Sequence, residues 1–315
     1  MNINSHDRFE ELLNEHKPEL KKSTRARYLS NYNSILRKLG HDPNWHTGYP
    51  TEFNNPTSVI DKISAGISDN TLKSYIGTLA VYCQLAGYPE DICEAYGKGR
   101  DILQDRYNNR LRDGVLSEKE EANMVDVKFI DDLIEKLDKE QPESSMTKSD
   151  YNKKLHVYIL KLMRELPIRN ELASVDIVYR SQLKDHPTGN ILVITKRWCK
   201  SKPYLLIRDH KTDTKFGAKK IPLNDDMEML VRDYLNWSKN PEHLISKYSG
   251  EKFTSNAFSI FLTNIFKKHL GKNISSQMLR KIILTDKYRD IKDQMHKDAE
   301  IFGHSVATQQ HVYVK

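Results

Sequence analysis

Four side chains in the second half of the sequence have types that are useful in catalysis. Arg169 lies in the segment Pro-Ile-Arg-Asn-Glu-Leu, and Arg280 lies in the segment Gln-Met-Leu-Arg-Lys. His304 follows a glycine, and Tyr313 comes nine positions later (313 − 304). Together they provide two permanent cations, a hydrogen-bond donor and a hydroxyl that becomes a nucleophile when it loses its proton.

This combination matches the requirements of transesterification at a phosphodiester. One group attacks phosphorus, cations meet the charge that grows on the non-bridging oxygens, and an acid protonates the leaving oxygen. Arginine suits the second task because its planar fork grips two oxygens and keeps its charge. A phenol titrates near about 10. A nucleophilic Tyr313 therefore needs cationic neighbours, such as Arg169, Arg280 and a lysine, that favour the phenolate.

The order Arg169, Arg280, His304 and Tyr313 resembles the catalytic set of the tyrosine recombinases, the phage-integrase family. The resemblance implies that both arginines hold the scissile phosphate and that His304 donates a hydrogen bond to a non-bridging oxygen. It also implies that Tyr313 becomes joined to a DNA 3′-phosphate without a metal ion. The sequence around Arg169 resembles recombinases of viruses and eukaryotic mobile elements more than bacterial ones, and so do the later His-Lys-Thr and Ile-Pro-Leu segments.

Three positions near the arginines depart from the family pattern. Gln277 stands where the family's His-x-x-Arg box has a histidine, so this side chain hydrogen-bonds but does not shuttle a proton. Glu171 lies two positions after Arg169, whereas the family's acidic residue lies three positions after; we expect it to orient an arginine, Arg169 first. Lys281 replaces a second histidine, and we expect a structural or phosphate-contacting role for it.

The resemblance further implies a general acid, a lysine on the hairpin between the second and third predicted strands. Lys211, in His-Lys-Thr, matches that position best. Lys215 is the second choice, and we expect both Lys215 and Lys219 to contact DNA phosphates. From Thr195 to Leu223 there are nine Lys or Arg against two Asp, a charge density that also suits simple phosphate contact.

Each candidate has an ordinary explanation when it is taken alone. Arginines form surface ion pairs, a histidine after glycine commonly caps a helix, and a run of lysines is usually a solvated face. The chain has 16 tyrosines, most of which must serve packing. The functional interpretation therefore depends on the order and spacing of the whole set.

Composition favours a nucleic-acid partner and an intracellular location. Lys and Arg number 50 against 43 Asp and Glu, for a net charge of +7 and a pI near 9.0. Cys83, Cys93 and Cys199 lack metal-ligand spacing. No apolar run approaches the roughly 20 residues of a membrane span, and residues 1–22 do not read as a signal peptide. We expect no metal, no cofactor and no membrane contact, and a place in the nucleus or cytoplasm of a host rather than secretion.

The fold class predicted from periodicity is α, then α+β. We expect a helical DNA-binding domain over residues 1–110, a charged linker over 111–123, and a catalytic domain over 124–315. The catalytic domain should be mostly helical with a small three-stranded antiparallel sheet. Its predicted strands are Asn190–Thr195, Tyr204–Arg208 and Lys219–Leu223.

The resemblance implies a site-specific recombinase or integrase that acts on double-stranded DNA. Such enzymes work as dimers on half-sites and exchange strands within a tetrameric synapse. Two alternatives stay open. A type IB topoisomerase would use a similar site to relax supercoils. A degenerate family member would bind DNA without cutting it; Gln277 favours this alternative, whereas Tyr313 and both arginines disfavour it.

Overall fold

The computed structural model describes residues 5–42, 50–141, 147–195, 202–210, 213–303 and 306. The chain divides into two compact units, Met1–Leu116 and Ser117–Lys315. The described part of the first unit is helical, and the second unit combines helices with one sheet. This agrees with the predicted order of α followed by α+β.

Five α-helices and one short 3₁₀ helix build the described part of the first unit. Their start signals are local: the Ser68 side chain accepts a hydrogen bond from the Thr71 N–H, and the Asn55 side chain accepts one from the Ser58 N–H. An aromatic cluster fills the core, in which Tyr32 and Tyr82 stack with ring centroids 4.6 Å apart. The helices are α1 (Ser5–His16), α2 (Lys22–Lys38), α3 (Pro56–Ser64), α4 (Asp69–Leu85) and α5 (Glu90–Arg112), with the 3₁₀ helix Thr51–Asn54.

Seven α-helices and two 3₁₀ helices are described in the second unit. Its core lies between α8, α10, α11 and one face of the sheet, where Tyr158 and Tyr234 stack at 4.2 Å. The α-helices are α6 (Glu118–Asn123), α7 (Val127–Lys139), α8 (Lys148–Glu165), α9 (Asp213–Phe216), α10 (Asp225–Trp237), α11 (Ser255–Leu270) and α12 (Ser276–Phe302). The 3₁₀ helices are Asn170–Ser174 and Arg180–Asp185.

The sheet has four strands in the order β1-β2-β3-β4 and is mixed, so the prediction of three antiparallel strands was wrong. The three predicted strands are present and pair antiparallel, but a further strand pairs parallel with β2. The 3₁₀ helix Arg180–Asp185 makes the crossover between these two strands. The strands are β1 (Asp176–Tyr179), β2 (Ile191–Ile194), β3 (Tyr204–Ile207) and β4 (Lys219–Pro222).

Both faces of β2 are covered, which explains its uninterrupted apolar sequence. Leu192 and Ile194 point into the main core, whereas Ile191 and Val193 join a smaller cluster with Tyr204 on the other face. All four β2 residues are buried. Continuous apolar runs are typical of strands that are buried on two sides.

The boundary between the units falls inside the predicted linker, 111–123, but that stretch is not all linker. Helix α5 continues to Arg112, and α6 begins at Glu118. A capping box starts α6: the Ser117 hydroxyl accepts from the Glu120 N–H, and the Glu120 carboxylate accepts from the Ser117 N–H at 2.9 Å. The second half of the stretch is therefore an ordered part of the second unit.

Helix α12 leaves the core after its first two turns. Leu279, Ile282 and Ile283 are buried, but Tyr288 and Ile291 are 49% and 57% exposed. The helix ends at Gly303, whose positive φ of 68° is a left-handed conformation that glycine adopts without strain. Within the described residues, no helix has both the length and the apolar character needed to cross a membrane.

Candidate functional site

Arg169 lies just after the end of helix α8, and the sequence determines where that helix ends. Helix α8 ends at Glu165, and Pro167 prevents its continuation because the residue before a proline disfavours helical backbone. Leu166 accordingly has φ −117° and ψ 77°. Arg169 has extended backbone and stands directly before the 3₁₀ helix Asn170–Ser174. Its side chain is half-buried at the edge of the main core.

Arg280 is positioned on the second turn of α12. The Ser275 hydroxyl caps this helix by accepting from the Met278 N–H at 3.3 Å. Met278 and Leu279 anchor the helix in the core, which leaves Arg280 half-buried at the border. Gln277, one turn earlier on the same face, is exposed.

Asn170 connects the two arginine segments. Its Oδ1 accepts a hydrogen bond of 2.6 Å from the hydroxyl of Ser276, the first residue of α12. Its Nδ2 donates to the backbone oxygen of Ser255, the first residue of α11, at 3.2 Å. The residue next to Arg169 is thus bonded to the starts of two helices, one of which carries Arg280.

The two guanidinium groups influence each other electrostatically. Burial lowers the pKa of Arg280, the positive charge of Arg169 lowers it further, and the carboxylate of Glu171 acts in the opposite direction. Among the described residues, neither guanidinium group makes a hydrogen bond or an ion pair. The Oε2 atom of Glu171 is buried without a hydrogen-bond partner there. The second unit therefore holds two half-buried cations near one another, and one carboxylate only partly offsets them.

Such a pair of cations can bind a multivalent oxyanion. Each guanidinium presents five N–H donors in a fixed plane, and phosphate or phosphodiester oxygens accept such donors in pairs. An anion between Arg169 and Arg280 would relieve their mutual repulsion. Because the arginines are partly removed from water, the attraction is stronger than for exposed side chains.

Lys281 is held in an ion pair with α6. Its Nζ lies 2.7 Å from Glu120 Oε1, and each side chain is about 30% exposed. The hydrogen bond from Lys281, with a second from the Ser117 N–H, lowers the pKa of Glu120 to about 2. In addition, the backbone N–H of Asn273 donates to Asn123 Oδ1 at 2.6 Å. Helix α6, which sequence analysis assigned to a linker, therefore supports the start of α12.

Lys215 and Lys219 lie on a separate cationic surface beside β3 and β4. Their Nζ atoms are 5.3 and 5.7 Å from the centroid of the exposed Phe216 ring. Lys220 lies 4.4 Å from the ring centroid of Tyr204. Within the described residues, no hydrogen bond or ion pair joins Lys215 or Lys219 to the arginines. The cations and rings together form a surface that can contact phosphates and bases.

Lys211, His304 and Tyr313 lie outside the described residues, as does Cys199. The distance from Arg280 to Gly303, the residue before His304, can nevertheless be given. Arg280 and Gly303 are separated by the whole remaining length of α12, which at 1.5 Å per residue is about 34 Å. Arg169 and Glu171 lie near enough to Arg280 to affect its pKa, whereas Gly303 lies at the far end of α12.

Sequence analysis missed the side chains that hold the arginines in place. Asn170 and Ser276 carry no pattern of their own, because their hydrogen bond joins residues 106 positions apart. Glu120 had a local signal, the Ser-x-x-Glu motif of a capping box, which predicts a helix start. No group of three His, Cys, Asp or Glu side chains in the described part of the chain is arranged to hold a metal ion.

Comparisons with known proteins were made for the whole chain. No protein-family model matches it, and no curated protein matches it. Similar solved structures include XerA recombinase, at 14% identity over 96% of this chain and 92% of that chain, with a TM-score of 0.36. XerH site-specific recombinase bound to palindromic difH substrate, in a post-cleavage complex, is 15% identical over 98% and 85%, with a TM-score of 0.49. Its pre-cleavage complex with difH substrate is 16% identical over 97% and 81%, also with a TM-score of 0.49.

Proposed function

We propose that this chain is a site-specific DNA recombinase that cuts and rejoins double-stranded DNA by transesterification. The observation that carries the proposal is the pair Arg169 and Arg280, two neighbouring half-buried cations that lack an ion-pair partner among the described residues. A scissile phosphodiester supplies the missing anion. A structural role alone does not account for this pair, because the charge of Arg169 disfavours the charged form of Arg280.

The arginines act on the transition state of this reaction. Negative charge grows on the non-bridging oxygens as the nucleophile attacks, and two fixed forks hold those oxygens in place. Asn170 and Ser276 keep the two segments together, and Glu171 limits the repulsion between them. Gln277, exposed one turn before Arg280, donates or accepts a hydrogen bond at the phosphate.

The remaining roles come from the resemblance to the tyrosine recombinases. Tyr313 attacks phosphorus and forms the 3′-phosphotyrosyl link, and the 5′-hydroxyl leaves with a proton from Lys211. His304 donates to a non-bridging oxygen. Lys215 and Lys219, on the cationic surface beside Phe216, contact the DNA backbone. The same resemblance underlies our proposals of dimers on half-sites, a tetrameric synapse and an origin in a virus or eukaryotic mobile element.

Trapping of a covalent complex tests the proposal. The protein is incubated in EDTA with a pool of duplexes of randomised sequence and quenched with detergent, and protein-linked strands are recovered and sequenced. We expect strands joined through their 3′-phosphates to Tyr313 and enriched in one sequence. Tyr313→Phe should abolish the adduct and leave binding to the enriched duplex nearly unchanged, because one hydroxyl adds little to many phosphate contacts.

Tyr288→Phe is the matched control, since Tyr288 is an exposed tyrosine of α12 and should be dispensable. The alternatives give different results in the same assay. Adducts without sequence enrichment, together with relaxation of supercoiled plasmid by the monomer, indicate a topoisomerase. Tight DNA binding with no adduct under any condition indicates a non-cleaving DNA-binding protein, and an adduct that persists in Tyr313→Phe contradicts the assigned nucleophile.

A further inference from the structure

A groove of about 630 Å³ lies on the second unit where α7, α8 and α10 meet. Helix α7 lines it from Asp131 to Asp138, and α10 lines it from Asp226 to Asp233, in both cases with residues three and four positions apart. Residues at these spacings share one face of a helix. Neither Arg169 nor Arg280 belongs to the lining. The groove is therefore a surface distinct from the candidate active site.

The floor of the groove is apolar and contains two methionines. Ile134 and Leu230 are half-buried, and Met227 is buried against the core. Met229 is 62% exposed and adds apolar surface that faces solvent on the open side of α10. Methionine side chains adapt their shape to apolar ligands and are common at surfaces that bind amphipathic helices.

The rim of the groove is acidic, with six carboxylates against two cations. Both cations are already neutralised by carboxylates of α7. Arg164 bonds to the two oxygens of Asp131 at 2.8 and 3.2 Å, and Lys161 lies 2.8 Å from Asp138. These ion pairs tie α8 to α7 and leave the groove with an excess of negative charge.

Three of the remaining rim carboxylates take no part in these ion pairs. Glu165, Asp226 and Asp233 are exposed, and within the described residues they form no ion pair or side-chain hydrogen bond. They surround the apolar floor on a protein whose net charge is +7. A patch of this sign would repel a DNA backbone, so the groove is not part of a DNA-binding surface.

We propose that this groove binds a cationic amphipathic helix of a partner protein. The apolar side of such a helix would cover Met229 and Leu230, and lysines or arginines on its flanks would pair with Glu165, Asp226 and Asp233. Binding of a helix in an apolar groove, with charges at the edges that set orientation, is a common mode of recognition. The partner would bind to the unit that carries Arg169 and Arg280. This proposal does not depend on the activity proposed for the two arginines.

Fluorescence anisotropy with a defined peptide tests the proposal. The probe is a fluorescein-labelled helical peptide with leucines at positions i, i+3, i+4 and i+7 and lysines on both flanks. We expect saturable binding by the full chain, weakened as salt is added. Glu165→Gln combined with Asp233→Asn should weaken it roughly fivefold. Met229→Gln should weaken it by about threefold or more, since it removes apolar contact.

The control variants make the same chemical changes elsewhere on the second unit. Asp290→Asn with Asp293→Asn removes two exposed carboxylates of α12, and Ile260→Gln replaces an exposed apolar residue of α11. These should bind the peptide as the unchanged protein does. A peptide with the same residues in scrambled order, which has no apolar face, should bind at least tenfold more weakly.

Several results would overturn the proposal. The first is that the peptide shows no saturable binding. The second is that the scrambled peptide binds equally well. The third is that the groove variants and the control variants change peptide binding equally. Self-association in sedimentation that Met229→Gln abolishes would assign the groove to a second copy of the chain. Peptide binding that appears only after residues 304–315 are removed would assign it to the chain's own C-terminal segment. Displacement of the peptide by duplex DNA would show that the groove binds nucleic acid.

Discussion

Ser276 donates its hydroxyl hydrogen to Asn170 Oδ1 across 2.6 Å, and this bond joins the neighbour of Arg169 to the helix that carries Arg280. The Ser276 side chain is buried, so the bond is protected from water. A change at either end therefore alters the spacing of two arginines as well as one hydrogen bond. In this respect Asn170 is a positioning residue for the candidate site.

We expect the bond between Asn170 and Ser276 to appear as a coupling in a double-mutant cycle. Asn170→Ala and Ser276→Ala should each lower the free energy of unfolding by about 1 to 3 kcal/mol, because each leaves a buried polar partner unbonded. The double variant should lose less than the sum, with a coupling of about 0.5 to 1.5 kcal/mol in urea denaturation. Ser249→Ala, on an exposed turn, is the control, and additive losses would show that the two side chains act independently.

Inorganic phosphate should stabilise the protein through its arginine pair. Ligands that bind only the folded state raise the melting temperature as their concentration rises. We expect such a rise with phosphate at constant ionic strength, and a smaller rise in Arg280→Met. Without phosphate, Arg280→Met should melt no lower than the unchanged protein, because it removes a partly buried charge that Arg169 repels. An equal response of both proteins to phosphate would place the anion elsewhere.

Arg169→Lys and Arg280→Lys should each lower the DNA cleavage rate by at least about a hundredfold while changing DNA affinity slightly. Lysine keeps the charge but loses the two-pronged grip, which matters most as charge develops on phosphate oxygens. Single-turnover cleavage and filter binding on the same duplex separate the two effects. Arg232→Lys, in an exposed ion pair on α10, should behave as the unchanged protein does. Cleavage at the unchanged rate in both site variants would show that these arginines do not belong to the active site.

The second unit should lose stability between pH 6.5 and 4 because of His156. Burial, followed by the charges of His269 and Lys268, lowers the pKa of this side chain to about 4. In the unfolded chain it titrates near about 6.5. The unfolded state therefore binds the proton first as pH falls. The stabilisation is complete above about pH 6.5 and decreases as pH falls, by about 2 kcal/mol at pH 5 and about 3 kcal/mol at pH 4.

Denaturation by urea at pH 7 and pH 5 measures this loss. His156→Phe should reduce the difference between the two pH values, since phenylalanine keeps the contact with the Phe261 ring, 5.2 Å away, but has no proton to bind. His186→Gln, at an exposed position, should leave the difference as it is. His269 also has a lowered pKa and acts in the same direction, so His156→Phe should remove a part of the pH dependence and not all of it.

Sequence patterns predicted the parts of this fold that local chemistry decides. The strand predicted over Asn190–Thr195 is present as β2, because its apolar run is buried on both faces. The four residues of β1 were missed because a short segment with an aspartate at its start becomes a strand only when β2 lies beside it. The resemblance to a known family predicted that Arg169 and Arg280 act together on one phosphate, and this stays a prediction.

Contacts between distant segments could not be predicted in this way. The bond from Lys281 to Glu120 spans 161 positions, and sequence analysis assigned one partner to DNA contact and the other to a linker. Whether Lys281 also reaches DNA stays a prediction. Nothing in the local pattern of Lys281 indicates that a carboxylate of α6 lies 2.7 Å away, because that proximity results from how α6 and α12 pack.

The length of α12 limits how the candidate site can be completed. Ten residues link Gly303 to Tyr313, and even fully extended they span about 33 to 36 Å. The distance back to Arg280 along the helix is about 34 Å. The proposed nucleophile Tyr313 therefore acts beside Arg280 of its own chain only if the segment after Gly303 runs back along nearly the whole of α12. Action on a second copy of the chain places no such demand on that segment.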